Sequence, residues 1–205
     1  MSRSLFIVPV VHAEADLGRL ADSVRAATDD AAWAEKQKTI GETWQRIAEW
    51  CEGLDTYRLK VFQDGLPDDP SAPRIVEELA GKGSPNHRII QNLIERGANL
   101  VGTESPELLV REYKLATAAA AAANADRHPD PRHRQRAASL LAQRDAYIAK
   151  TIDKSLAPGE AGVLFIGMLH DVASKLHADI GVSYPLGRLC SDRARATEPF
   201  QENAP

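Results

Sequence analysis

Three short strand-like runs, Leu5 to Val11, Arg58 to Phe62 and Val163 to Ile166, are separated by stretches with the apolar periodicity of helices. Such alternation favours parallel strands, because a parallel neighbour is reached only by a long crossover, usually a helix packed on the sheet. The strand C-termini then gather on one edge, which is where open α/β sheets hold their ligands. The chain is therefore expected to be α/β, with a mostly parallel central sheet of four to five strands flanked by helices.

The remaining pattern fits a single domain over 1–190, with 191–205 a polar, charged and proline-rich tail expected to be mobile. A helix is expected over 15–27. Asp29 or Asp30 then caps a longer one running to Glu52, whose apolar face carries Trp33, Ile40, Trp44, Ile47 and Cys51. Two helices are expected near 72–80 and 86–96, and a short strand at Asn99 to Gly102. Ser105 caps the next helix, with Pro106 at its first position and the alanine run Ala118 to Ala123 as a thin extension. A helix over about 134–156 precedes the strand at 163–166. A short helix from Asp171 then leads to a last strand at 180–184.

Composition narrows the function classes. Lysine and arginine number 25 against 29 aspartate and glutamate, a net charge of −4, so the chain as a whole offers no field for nucleic acid. The basic stretch Arg127 to Arg136, with His128 and His133, has no interleaved aromatic residues for base stacking and reads as a solvated surface. Cys51 and Cys190 form no disulfide framework and fit a reducing cytoplasm. The run 5–11 contains Pro9 and stops at His12, and it reads as a first strand rather than a secretory leader. No apolar stretch is long enough to span a bilayer. The expected partner is a small-molecule or peptide substrate, with no nucleic acid and no membrane.

Residues just beyond each strand make the candidate site: His12 and Glu14, then Asp64, then Glu104, then His170 with Asp171 beside it. Imidazoles and carboxylates on one edge suit a divalent metal such as zinc, manganese or cobalt, with His12, Glu14, Asp64, Glu104 and His170 as ligands. They suit equally a metal-free acid–base pair, in which a carboxylate fixes the tautomer of a histidine that activates water. Both readings stand on sequence alone. Local roles compete: Asp64-Gly65 is a turn signal, Glu104 could complement the dipole of the helix after it, and Pro85-Asn86 before His87 starts a helix. His87 and Tyr147 join Asp171 as further ligand-binding candidates, and Tyr184 offers another phenol.

Arg144-Asp-Ala-Tyr-Ile-Ala-Lys-Thr-Ile152 followed by Val163 to His170, which ends in Gly167-Met-Leu-His170, resembles the paired C-terminal signature of the TraB/Tiki, ChaN-like and erythromycin-esterase-like superfamily. In that pattern an arginine followed by Asn or Asp begins a helix, and glycine-x-x-histidine closes the next strand. His12 after an apolar strand and Gly102-Thr-Glu104 are similar to two further segments. Where that family carries glycine before its first histidine, this chain has Pro9-Val-Val11. The resemblance implies a strand-end site in a family that includes metal-dependent proteases, metal-independent esterases and haem-binding proteins. The expectation is a small cytoplasmic hydrolase activating water at His12, Glu104 and His170, with Arg144 stabilising developing negative charge. A non-catalytic protein binding metal, haem or an anion, and an interaction subunit with a vestigial cleft, are the competing expectations.

Overall fold

The computed structural model describes residues 2–11, 29–123 and 131–187, and in it each strand is parallel to its neighbours. The expected helix at 15–27, His12, Glu14, His128, Cys190 and the tail lie outside the described residues. In chain order the elements are β1 (Arg3–Val10), α1 (Asp30–Glu52), β2 (Leu59–Pro67), α2 (Ala72–Gly81), α3 (Pro85–Glu95), β3 (Asn99–Glu104), α4 (Pro106–Ala123), α5 (Pro131–Ser155), β4 (Ala161–Gly167) and β5 (Ile180–Ser183). The five strands stand in the order β3-β2-β4-β1-β5.

The period-two alternation of the strands sorts the core into two layers. On one face Val8, Val10, Val61, Val163 and Phe165 pack against α1, α2 and α3 through Trp44, Ile47, Val76, Ile90 and Leu93. On the other, Leu5, Ile7, Phe62, Leu164 and Ile166 meet Ile148, Ala149 and Ile152 of α5 and Leu156 just after it. The stripe expected on α1 is the buried one, Trp33, Ile40, Trp44, Ile47 and Cys51, and Asp29 caps the helix by accepting from the Ala32 N–H at 2.9 Å. Trp44 Nε1–H donates to the carbonyl of Val11 at 2.9 Å, so the indole is a core residue that also ties down the end of the first strand.

Among the boundaries that differ from expectation, those of β2 and β3 matter at the edge. β2 continues through Asp64-Gly65 to Pro67, because Gly65 adopts φ 68° and lets the register against β3 shift between Gln63 and Pro67. The Asp-Gly pair is thus part of an irregular strand and not a chain-reversing turn. β3 runs on to Glu104, while Ser105 Oγ accepts from the Leu108 N–H at 3.4 Å, so the cap of α4 falls to the serine. Gly102 is required where these strands close up: a Cβ there would stand 2.0 Å from the carbonyl oxygen of Pro67.

The connection from β4 to β5 holds only a single 3-10 turn, Ala173–Lys175, in place of the helix expected from Asp171. This short link leaves room on the α5 face of the sheet, where a cleft of about 600 Å³ opens between Ile7, Pro9, Ile166, Val182 and the segment 170–174. Among the described residues, no helix is long and apolar enough to cross a membrane.

Candidate active site

Consecutive residues in the middle of α5 organise the carboxyl edge of the sheet. Arg144 takes the end of β3 and Asp145 takes the segment after β4. Arg144 Nε donates to Glu104 Oε2 at 2.6 Å and Nη2 to Glu104 Oε1 at 2.5 Å, a bidentate fork, while Nη1 donates to Glu112 of α4. Glu104 has no exposed surface, and its Oε1 also accepts the Gly65 N–H at 2.7 Å. Burial disfavours the Arg144 charge, but Glu104, Glu112 and Asp64 outweigh it and hold the guanidinium above its ordinary pKa.

Asp145, 3% exposed, holds His170: Asp145 Oδ1 lies 2.5 Å from His170 Nδ1, and Oδ2 accepts the backbone N–H of Asp171 at 3.0 Å. With Nδ1 engaged in this way, the other ring nitrogen faces Asp64, whose Oδ2 is 3.7 Å from Nε2. Asp64 is fixed in turn, since Oδ2 accepts the Gly167 N–H at 2.7 Å and Oδ1 accepts from Gln63 Nε2 at 3.0 Å. Burial pushes the Asp64 carboxyl above its usual range, against the Gly167 N–H and His170, which favour its charge.

The chain of polar contacts extends beneath the edge. Asn86 Nδ2 donates to Gln63 Oε1 at 2.9 Å, and Thr103 Oγ1 donates to the Gln63 carbonyl. Asn86 Oδ1 is buried with no protein partner, the acceptor end of a line running from Asn86 through Gln63 and Asp64 towards His170. The edge is therefore a connected polar network around one histidine.

Each expected site residue can now be placed. Asp64 and His170 face each other, and His170 lines the 600 Å³ cleft. Glu104 and Arg144 are brought to the same edge but to each other, with both carboxylate oxygens accepting from the arginine. The roles expected of them, water activation and transition-state stabilisation, find no open geometry here, because a buried bidentate pair satisfies its members internally. Asp171 lines the cleft but is exposed, and its Oδ2 accepts from Ser174 Oγ at 2.7 Å. Tyr147 stands apart from the cleft, its hydroxyl donating to Asp68 Oδ2 at 3.3 Å, and burial together with that carboxylate raises its pKa. His87 sits in the first turn of α3, its Nδ1 2.8 Å from Oγ of the capping Ser84. Tyr184 lines the cleft, and His133 lies in the first turn of α5.

Asp145, Gln63 and Asn86 were not among the expected site residues. Asp145 had a legible signal, an acidic side chain three, four and seven residues before Ile148, Ala149 and Ile152 on an otherwise apolar helical stripe. Gln63 and Asn86 had none, since a polar residue at a strand end or a helix start is ordinary.

A metal at His170 would have Nε2 and Asp64 Oδ2 as donors, with Asp145 behind the ring in the position of a supporting carboxylate. Among the described residues, the three-membered group able to hold an ion is elsewhere: Asp153, His177 and Asp179, all exposed. There Arg3 Nη2 already lies 2.7 Å from Asp153 Oδ1 and 2.6 Å from Asp179 Oδ1, so a guanidinium occupies the negative side of that group. Compared with models of known families, with curated proteins and with solved structures, the chain matches none of them.

Proposed function

We propose that this chain is a small cytoplasmic hydrolase in which His170, oriented by Asp145, activates water against an ester or amide carbonyl at the mouth of the cleft. The observation carrying this reading is the 2.5 Å contact between Asp145 Oδ1 and His170 Nδ1, which leaves Nε2 facing Asp64 on a ring that lines the cleft. In this scheme Nδ1–H donates to Asp145 and Nε2 accepts a proton from water as the water oxygen bonds to the carbonyl carbon. The imidazolium, stabilised by Asp145, returns that proton to the leaving oxygen or nitrogen as its bond to carbon breaks. A water donating to both Nε2 and Asp64 Oδ2, which stand 3.7 Å apart, would lie beside the line joining them and be oriented by Asp64.

The resemblance to the TraB/Tiki, ChaN-like and erythromycin-esterase-like superfamily remains part of the proposal. It is supported by the meeting of its two halves, Arg144-Asp145 and Gly167 to His170, although Arg144 lies well inside α5 and not at its start. In a second reading Asp64 and His170 would help hold zinc, manganese or cobalt, which would supply an activated water in place of the free one. It is favoured by the carboxylate behind the imidazole and needs further ligands, for which His12 and Glu14 are the candidates.

The test is hydrolysis of p-nitrophenyl butyrate and a matching anilide by the full chain and by His170→Ala. A loss of about 10²- to 10⁴-fold in the variant is expected for removal of a general base. Activity insensitive to EDTA supports the first reading. Activity abolished by EDTA and restored by Zn²⁺, Mn²⁺ or Co²⁺ selects the second, and no turnover of either substrate by the unaltered chain overturns both.

A further inference from the structure

We infer that the cleft beside His170 selects substrates whose acyl group is uncharged and apolar, longer than acetyl; this rests on the hydrolytic reading above and names the substrate class of that site. The cleft exists because the β4–β5 link makes one 3-10 turn where a packed helix would otherwise cover β1 and β5. What the missing helix would have covered is apolar: Ile7 and Pro9 of β1, Ile166 of β4 and Val182 of β5 form its floor. Val172 and Ala173 come from the turn side, where Asp171 and Ser174 supply a polar wall facing the apolar floor. His170 is at the same cleft, so a carbonyl poised at Nε2 would direct its acyl chain along this floor.

Volume and charge set the class. About 600 Å³ is within the range of small-molecule sites and far exceeds the need of an acetyl group. Among the described residues Asp171 is the carboxylate in the lining, and an acyl group bearing its own carboxylate would meet a like charge there, with Lys175 Nζ turned to the Asp171 carbonyl at 3.3 Å and no lysine or arginine in the described lining itself. At the rim Met168, 62% exposed, adds an apolar side chain to the lining. An aliphatic group would lose contact with water at both floor and rim.

The experiment pairs kinetics with binding. kcat/KM is measured for p-nitrophenyl acetate, butyrate, hexanoate and monosuccinate, and binding of the neutral fluorophore N-phenyl-1-naphthylamine is titrated in the absence of ester. Butyrate is expected to exceed acetate by about tenfold, from two added methylenes entering the cleft, and the monosuccinate is expected to fall below butyrate. Ala173→Trp, which fills the cleft from the turn, should bring butyrate and acetate within about twofold and weaken fluorophore binding about tenfold. Ala173→Leu, a smaller intrusion, should shift both in the same direction in a protein whose melting temperature is retained. Equal kcat/KM across the three alkanoyl esters, or fluorophore binding indifferent to both variants, overturns the inference. Fluorophore binding weakened by both variants in a chain that hydrolyses no ester would sink the hydrolytic reading and uphold the apolar selectivity of the cleft.

Discussion

His170 Nδ1 lies 2.5 Å from Oδ1 of Asp145, a residue 25 positions earlier in the chain and 3% exposed. A buried carboxylate with one oxygen on an imidazole and the other on the Asp171 N–H leaves that ring little freedom to turn.

Replacing Asp145 by Asn therefore tests orientation rather than packing. The amide is isosteric, but satisfying both His170 Nδ1 and the Asp171 N–H would no longer favour the Nδ1–H tautomer. Nitrogen-15 NMR of the imidazole is expected to show Nδ1–H dominant in the parent at a pH where the ring is neutral, and a mixture or Nε2–H in the variant. Esterase activity should fall by about 10²-fold or more, within the span of general-base catalysis. An unchanged tautomer would detach Asp145 from this role.

The Glu104–Arg144 pair is structural, and its removal should show as lost stability. Arg144→Met strands a fully buried carboxylate and is expected to cost about 3–5 kcal/mol in urea denaturation, whereas a double change to Glu104→Leu and Arg144→Met should recover much of it. Glu112 is half-exposed, and Glu112→Gln should cost no more than about 1 kcal/mol.

Gly102 admits no side chain. Gly102→Ala would set its Cβ 2.0 Å from the Pro67 carbonyl oxygen and 2.8 Å from Asp68 Cα, both backbone atoms. Strands β2 and β3 would have to part where Glu104 is anchored, at an expected cost of about 1–3 kcal/mol or more, measurable as a shift in the denaturation midpoint.

Acid sensitivity is expected at the opposite end of the sheet. Asp179 is held below the ordinary aspartate range, first by the Arg3 hydrogen bonds and then by His177. A depressed folded-state pKa means that the contribution is present above the unfolded value, about 3.9, and is lost as pH falls through the folded one. The parent melting temperature should therefore drop more steeply below about pH 4 than that of Asp179→Asn, followed by circular dichroism. Parallel pH profiles for the two proteins would show that Arg3 gains nothing from the Asp179 charge.

The strands and most helices were legible because they depend on local periodicity, whereas the helix expected from Asp171 is a single 3-10 turn and the one expected over 15–27 lies outside the described residues. The unbroken apolar run 5–11 reports a strand covered on both faces, and the three-four spacing from Trp33 to Cys51 reports which side of a helix leaves water, whatever it packs against. Strand ends were less legible: Asp64-Gly65 carries a turn signal that the φ of Gly65 converts into a shifted register, and Glu104 remained ambiguous until β3 was seen to reach it.

By itself, then, the sequence determined most element types among the described residues, the buried face of α1 and the placing of Asp64, Glu104 and His170 at strand ends. Only the tertiary structure decided partners: that Arg144 neutralises Glu104 and Asp145 holds His170, and that a single 3-10 turn between β4 and β5 leaves an open cleft beside them. The physical reason is range. Burial and period are properties of a few neighbouring residues, whereas the Arg144–Glu104 pair spans 40 positions and depends on how α5 is laid across the strands in the order β3-β2-β4-β1-β5.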